Sequence, residues 1–140
     1  MIKFTKERSI SIDDVLHLYQ AVGWTNYTNQ PQMLEQSLAH SLATYLARDG
    51  EEIVGVVRLV GDGFSSVFVQ DLIVLPSYQR QGIGSNLMKE ALADYKDAYQ
   101  IQLATEQTEK NLGFYRSLGF ETLSTYDCTG MIWLDRKKFK

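Results

Sequence analysis

The chain has 140 residues, 44% hydrophobic and 22% charged, with a formal net charge of −3 at pH 7. That size allows one hydrophobic core and a single domain over residues 1–140, and the balance excludes a disordered or fibrous protein. The negative sign argues against a nucleic-acid partner, and no segment reaches the roughly 18 apolar residues that a membrane helix needs.

One cysteine, Cys128, can form neither an internal disulfide nor a cysteine-rich metal cluster. With no apolar signal-length core in "MIKFTKERSISIDD", the expectation is a soluble protein of the reducing cytoplasm. No His or Asn near Cys128 supports a nucleophile, so it reads as an inert thiol. The basic end "RKKFK" reads as a solvated tail.

In chain order, residues 2–7 read as a short strand. Ser11 can cap a helix whose first turn carries Asp13 and Asp14 and whose apolar face is Ile12, Val15, Leu16, Tyr19 and Val22. Gly23 ends it. Pro31 opens a second helix with the stripe Met33, Leu34, Leu38 and Leu42. "TYLARD" and "EIVGVVRLV" read as strands joined at Asp49-Gly50-Glu51, and "GDGFSS" turns into a third strand, "VFVQDLIVL". Its alternating faces, Val67, Val69, Asp71, Ile73 and Phe68, Gln70, Leu72, Val74, are both mainly apolar. That describes a central strand covered on each side.

A helix with Ile83, Leu87, Met88, Ala91, Leu92 and Tyr95 follows, then the strand "YQIQLAT". "EKNLGFYRSLG" is a short helix, and "FETLST" and "GMIWLD" read as closing strands. The order describes an α/β mixed sheet with helices on both faces.

Between the central strand and its helix stands "LPSYQRQGIGSNLMKEAL". A helix start leaves main-chain N–H groups without internal partners and carries partial positive charge. Gly82 and Gly84 clear side chains from the amides of residues 80–85, Ile83 among them, so an anion can approach. Arg80 adds a full charge, Gln79 and Gln81 add neutral donors, and Ser85 adds a hydroxyl. The set suits a diphosphate. The ATP-type loop lacks its Gly-Lys-Ser/Thr ending, and the dinucleotide fingerprint fails because Leu87 stands where its last glycine belongs.

What remains, Gln79-x-x-Gly82-x-Gly84 between strand and helix, resembles the signature of the GCN5-related N-acetyltransferase superfamily. "GFYRSLGF" resembles that family's later helix and Leu-Gly-Phe landmark, and the element order agrees over nearly the whole chain. "AVGW", "VVRLVGDGF" and "VQDLIVLPSYQRQGIG" are most similar to a branch holding plastid serotonin-acetyltransferase-like and small bacterial proteins.

The resemblance implies acetyl-coenzyme A as co-substrate, its pyrophosphate at the loop and its pantetheine arm paired with the backbone of Leu72, Ile73 and Val74. It implies an oxyanion donor near Leu72 or Ile73 and coenzyme contacts at Asn111 and Phe114, although Asn111 replaces a commoner alanine. It puts Trp24 and Tyr27 where relatives shape the acceptor pocket; plain packing would explain them equally. Homodimers are common in the family, and the residues leave that open.

Acetyl transfer to an amine needs a deprotonated nitrogen, an oxyanion donor and a proton for the leaving thiolate. Tyr115, matching the tyrosine of the family's Phe-Tyr pair, is the expected acid, with packing under the sheet as the alternative. Asp71, flanked by apolar residues, is the expected base, with a structural bond to a backbone amide or Arg58 as the alternative. Glu106 or a water chain could also take the proton. His17 and His40 stand alone, and no metal cluster is expected. The acceptor is a primary amine of a small molecule or a protein; an acyl-CoA-binding sensor without turnover is the competing reading.

Overall fold

The computed structural model of the protein describes residues 1–133 and 135. Contacts divide it into two units, Met1–Ala104 and Thr105–Lys140, each with its own local structure.

The first unit is a five-stranded sheet in sequential order: β1 (Ile2–Lys6), β2 (Ala43–Asp49), β3 (Glu52–Gly61), β4 (Ser66–Val74) and β5 (Gln100–Leu103). The first three pairings are antiparallel and the last is parallel. Helices α1 (Ile12–Ala21), α2 (Thr25–Thr28) and α3 (Pro31–Ala39) follow β1, and α4 (Ile83–Asp94) connects β4 to β5. The start of α1 is set by Ser11, whose side chain accepts the Asp13 N–H, and its end by Gly23 at φ +71°. Pro31 opens α3 as expected.

Two layers cover the sheet. Val15, Leu18 and Tyr19 of α1 and Leu34 and Leu38 of α3 bury themselves with Leu46, Val56 and Ile73. On the opposite face α4 sends in Ile83, Leu87, Met88 and Ala91. Gly55 is what lets α4 sit close, because a Cβ there would lie 3.1 Å from Leu87 Cδ1 and 3.3 Å from the Ile73 carbonyl. Helices on both faces of a mixed sheet agree with the sequence.

The alternation of β4 does not hold along its length. Arg58 pairs with Asp71 while its neighbour Leu59 pairs with Val69, so Gln70 is an extra residue on β4. Adjacent residues of β3 point to opposite faces, and the bulge therefore places Val69 with Leu59 but Asp71 and Ile73 with Arg58 and Val56. Val67, Val69, Asp71 and Ile73 are all buried, but on two faces of the sheet rather than one.

In the second unit, α5 (Glu109–Ser117) is capped by Thr108, which accepts the Asn111 N–H, and gives way at Gly119 with φ +98°. The two closing strands expected from alternation are not formed among the described residues. "FETLST" instead runs into a 3-10 turn over Leu123–Tyr126. Local bonds account for the difference: the Thr122 N–H donates to Glu121 Oε1, and the Thr122 hydroxyl lies within 3.1 Å of those of Ser124 and Thr125. Residues 130–133 carry no strand, and Leu134 of the expected "GMIWLD" strand lies outside the described residues.

Candidate functional site

The site begins where β4 loses a neighbour. β5 pairs with β4 only from Ser66 to Val69, whereas β3 stays paired as far as Val74. The Leu75 N–H donates to the Val54 carbonyl. Antiparallel pairs alternate, so residues 71, 73 and 75 spend their backbone groups on β3, while Leu72 and Val74 turn theirs to the open edge. Of the three residues expected to offer backbone to a ligand, Ile73 differs: its main chain belongs to β3 and its side chain to the core.

Beyond β4 a 3-10 turn, Pro76–Tyr78, is tied to the end of β2 by the Tyr78 hydroxyl, which donates to Asp49 Oδ2 at 2.6 Å. Gln79 Nε2 donates to the Val74 carbonyl at 3.1 Å, so this amide holds the loop to the strand. Arg80 takes a left-handed φ of +66° and Gly82 one of +79°. For arginine that conformation is strained, and it persists only because the loop is held at both ends.

The first turn of α4 is open. The Asn86 N–H makes the first intrahelical bond, to the Gly82 carbonyl, and Gly82 has no side chain with which to cap. The amides of Ile83, Gly84 and Ser85 thus precede the helical ladder. A Cβ on Gly82 would meet nothing within 4 Å, and Arg80 and Gln81 are exposed beside it. Open amides, a partial positive charge and a guanidinium with room in front of them fit a phosphate group.

On the α1–α3 face, at the bulge, lies a buried polar cluster. Asp71 is 2% exposed and Arg58 4%. Asp71 Oδ2 accepts from Arg58 Nε at 2.7 Å and from the Tyr19 hydroxyl at 2.8 Å, and Oδ1 accepts from the Tyr27 hydroxyl at 2.9 Å. Arg58 also donates to the Tyr27 oxygen and to Ser41 Oγ, both at 3.2 Å. Burial disfavours the Arg58 cation, but the Asp71 charge and bond outweigh it and hold its pKa up. Burial, then the neighbouring Asp71, pushes both tyrosine phenols up, so they stay neutral donors.

This is the second of the two arrangements considered for Asp71, a carboxylate bonded to Arg58. Tyr19 had only its place on an apolar helix face to suggest it. Trp24 and Tyr27 pack with Tyr19, Tyr27 at a ring distance of 5.0 Å and Trp24 at 6.1 Å.

In the second unit, Tyr115 is half-buried, edge-on to Phe114 at 5.0 Å and to Phe120 at 5.9 Å. Burial raises its phenol pKa. Asn111 Nδ2 donates to the Glu106 carbonyl at 3.4 Å. Among the described residues no three His, Cys, Asp or Glu come together as a metal site, and no helix is long and apolar enough to cross a membrane.

Residues 40–122, more than half of the chain, match the acetyltransferase (GNAT) domain, and the protein belongs to that family. An acetyltransferase of the GNAT family from Streptococcus pneumoniae is 72% identical, with a TM-score of 0.90 over 97% of this chain and 99% of that one. Serotonin N-acetyltransferase 2 of Oryza sativa subsp. japonica, a chloroplast protein, is 32% identical over 95 residues. These are 65% of this chain and 48% of the rice protein, so the chain spans about half the length of that relative. A GNAT acetyltransferase from Elizabethkingia anophelis, solved with acetyl-CoA bound, shares the fold at 22% identity and a TM-score of 0.63, over 86% of this chain and 76% of its own.

Proposed function

We propose that the protein transfers the acetyl group of acetyl-CoA to a primary amine. One observation carries the reading: the open edge of β4 at Leu72 and Val74 leads directly to the uncapped start of α4. An extended, amide-bearing arm ending in a diphosphate is the ligand that matches both. The diphosphate lies on the amides of Ile83, Gly84 and Ser85 with Arg80 and Gln81 beside it. The arm then runs back along β4 as an added strand. At about 3.3 Å per residue, the two amide groups of such an arm span the stretch from Val74 to Leu72. The thioester arrives next to the bulge.

There the amine nitrogen attacks the thioester carbonyl, the C–N bond forms, the C–S bond breaks and the thiolate leaves. The Leu72 N–H, unspent on β3, is placed to stabilise the oxyanion. An alkylamine has a pKa near about 10.4 and must lose a proton first. With Asp71 already accepting three bonds, solvent water takes that proton. Tyr115, whose phenol is held protonated by burial, is the donor that the resemblance assigns to the thiolate. The acceptor is a small-molecule or protein amine, and the single exposed Cys128 suits a reducing compartment.

Melting the protein with acetyl-CoA, ATP or NAD tests the ligand. At about 100-fold over Kd, acetyl-CoA should add roughly 2.7 kcal/mol, a rise of several degrees, and the others should add nothing. Thiol release with a panel of amines tests turnover. An equal shift with ATP would refute the ligand, and a shift without release on any amine would favour a binding module.

A further inference from the structure

The bulge that separates the two faces of β4 leaves one residue turned to solvent. Between Val67 and Val74, Gln70 alone is exposed. It is the unpaired residue opposite Arg58 and Leu59, and it stands where β5 stops pairing with β4. Two residues further on, at Leu72, the open edge begins.

The cluster beneath it determines how the Gln70 amide is turned. An ionised carboxylate only accepts, so the Tyr27 hydroxyl must give its single proton to Asp71. The phenol oxygen is then left purely as an acceptor, and it receives Arg58 Nη2 at 3.2 Å and Gln70 Nε2 at 3.5 Å. Gln70 therefore spends its NH₂ end inward and keeps its carbonyl free. Reversing the amide would set two acceptors against each other.

We propose that Gln70 is a specificity-determining residue for the acceptor, its free carbonyl accepting an N–H of the incoming amine, with Tyr27 and Asp71 as positioning residues that fix the amide's orientation. This rests on the acetyltransferase reading, which brings the thioester to the bulge. A primary amine has an N–H to give while its lone pair faces the thioester. The neutrality of the side chain matters as well. A carboxylate there would hold the acceptor as an ammonium ion, whereas an amide carbonyl orients the nitrogen and leaves the proton free to depart. The substrate class is thus a primary amine recognised through its own N–H rather than through an ion pair.

The test uses the full chain and whichever of spermidine, tryptamine or a short peptide with a free N-terminus gives the fastest thiol release. Gln70→Leu should raise the KM for that amine about three- to tenfold, the range of one hydrogen bond, and leave the Kd for acetyl-CoA unchanged. Tyr27→Phe should raise the same KM, and in the Gln70→Leu background it should add little, since both remove one oriented group. Gln70→Glu should move the acid limb of kcat to higher pH, because the bound amine would be held as its ammonium form. Gln70 is exposed, so its variants should melt as the parent does. An active parent with an unchanged amine KM in Gln70→Leu, or fully additive effects of the two substitutions, would overturn this assignment alone. A parent that binds acetyl-CoA and acetylates none of the probes would overturn it together with the proposed activity.

Discussion

Asp71 shows how much the partners of a side chain decide its chemistry. Its sequence surroundings fit a general base, but three donors reach its two oxygens at 2.7–2.9 Å. Removing the charge leaves Arg58 buried without its counter-ion, and breaking such a pair costs about 3–5 kcal/mol. Asp71→Asn should therefore lower the urea midpoint markedly. Measured at a temperature where the variant stays folded, its pH–rate profile should keep the acid limb of the parent. A limb that vanished would restore Asp71 as the base. Tyr115 is the opposite case, with a phenol raised above its ordinary 10.0 by burial. A group that acts while protonated, and whose pKa is raised, works across the neutral range and fails only as pH climbs past that value. Tyr115→Phe should cut kcat by about a hundredfold, the low end for a general acid, with little change in KM. The parent's kcat should fall at alkaline pH with its midpoint above the ordinary phenol value, and the Phe variant should lack that fall. A Phe variant with parental kcat would remove Tyr115 from the chemistry.

Among the elements, the loop before α4 was the most legible in the sequence. Glycine, arginine and helix start stand at adjacent positions there, and the backbone needs no distant partner to form. The caps at Ser11 and Gly23, the turn at Gly50 and the start at Pro31 were readable for the same reason: each is local chemistry. The bulge at Gln70 was not, because "VFVQDLIV" alternates smoothly and only its pairing with β3 shows the extra residue. Nor were the closing segments, since alternation in "FETLST" says that a strand could be half-buried there without supplying a neighbour to pair with. Arg80 offers a separable test of the loop. Its left-handed φ of +66° costs about 1–2 kcal/mol, and a glycine would relieve that while losing about 0.5–1 kcal/mol to chain entropy. Arg80→Gly should leave the melting temperature near parental or slightly higher. It should weaken acetyl-CoA by about tenfold or more through the lost charge-assisted bond. A variant with parental affinity would take Arg80 out of the phosphate cradle.

At the scale of the whole molecule, a chain of net charge −3 binds a polyanion only where local charge outweighs the overall field. At physiological salt the Debye length is about 8 Å, so distant carboxylates are screened while Arg80 and the α4 amides act at contact. The ligand should therefore touch a small and specific part of the backbone, and amide hydrogen exchange across the chain can read which part. Leu72 and Val74 face the open edge, and Ile83, Gly84 and Ser85 precede the helical ladder, so these five amides should exchange quickly in the free protein. Saturating acetyl-CoA should slow all five. Ile73 should change little, because its N–H is already committed to β3, and neither should the β1–β2 pairing on the far side of the sheet. Alternation is the sharp part of this expectation: protection at 72 and 74 with none gained at 73 is what an added strand produces. Equal new protection at all three would mean that the whole strand had merely stiffened, and the arm would have to lie elsewhere.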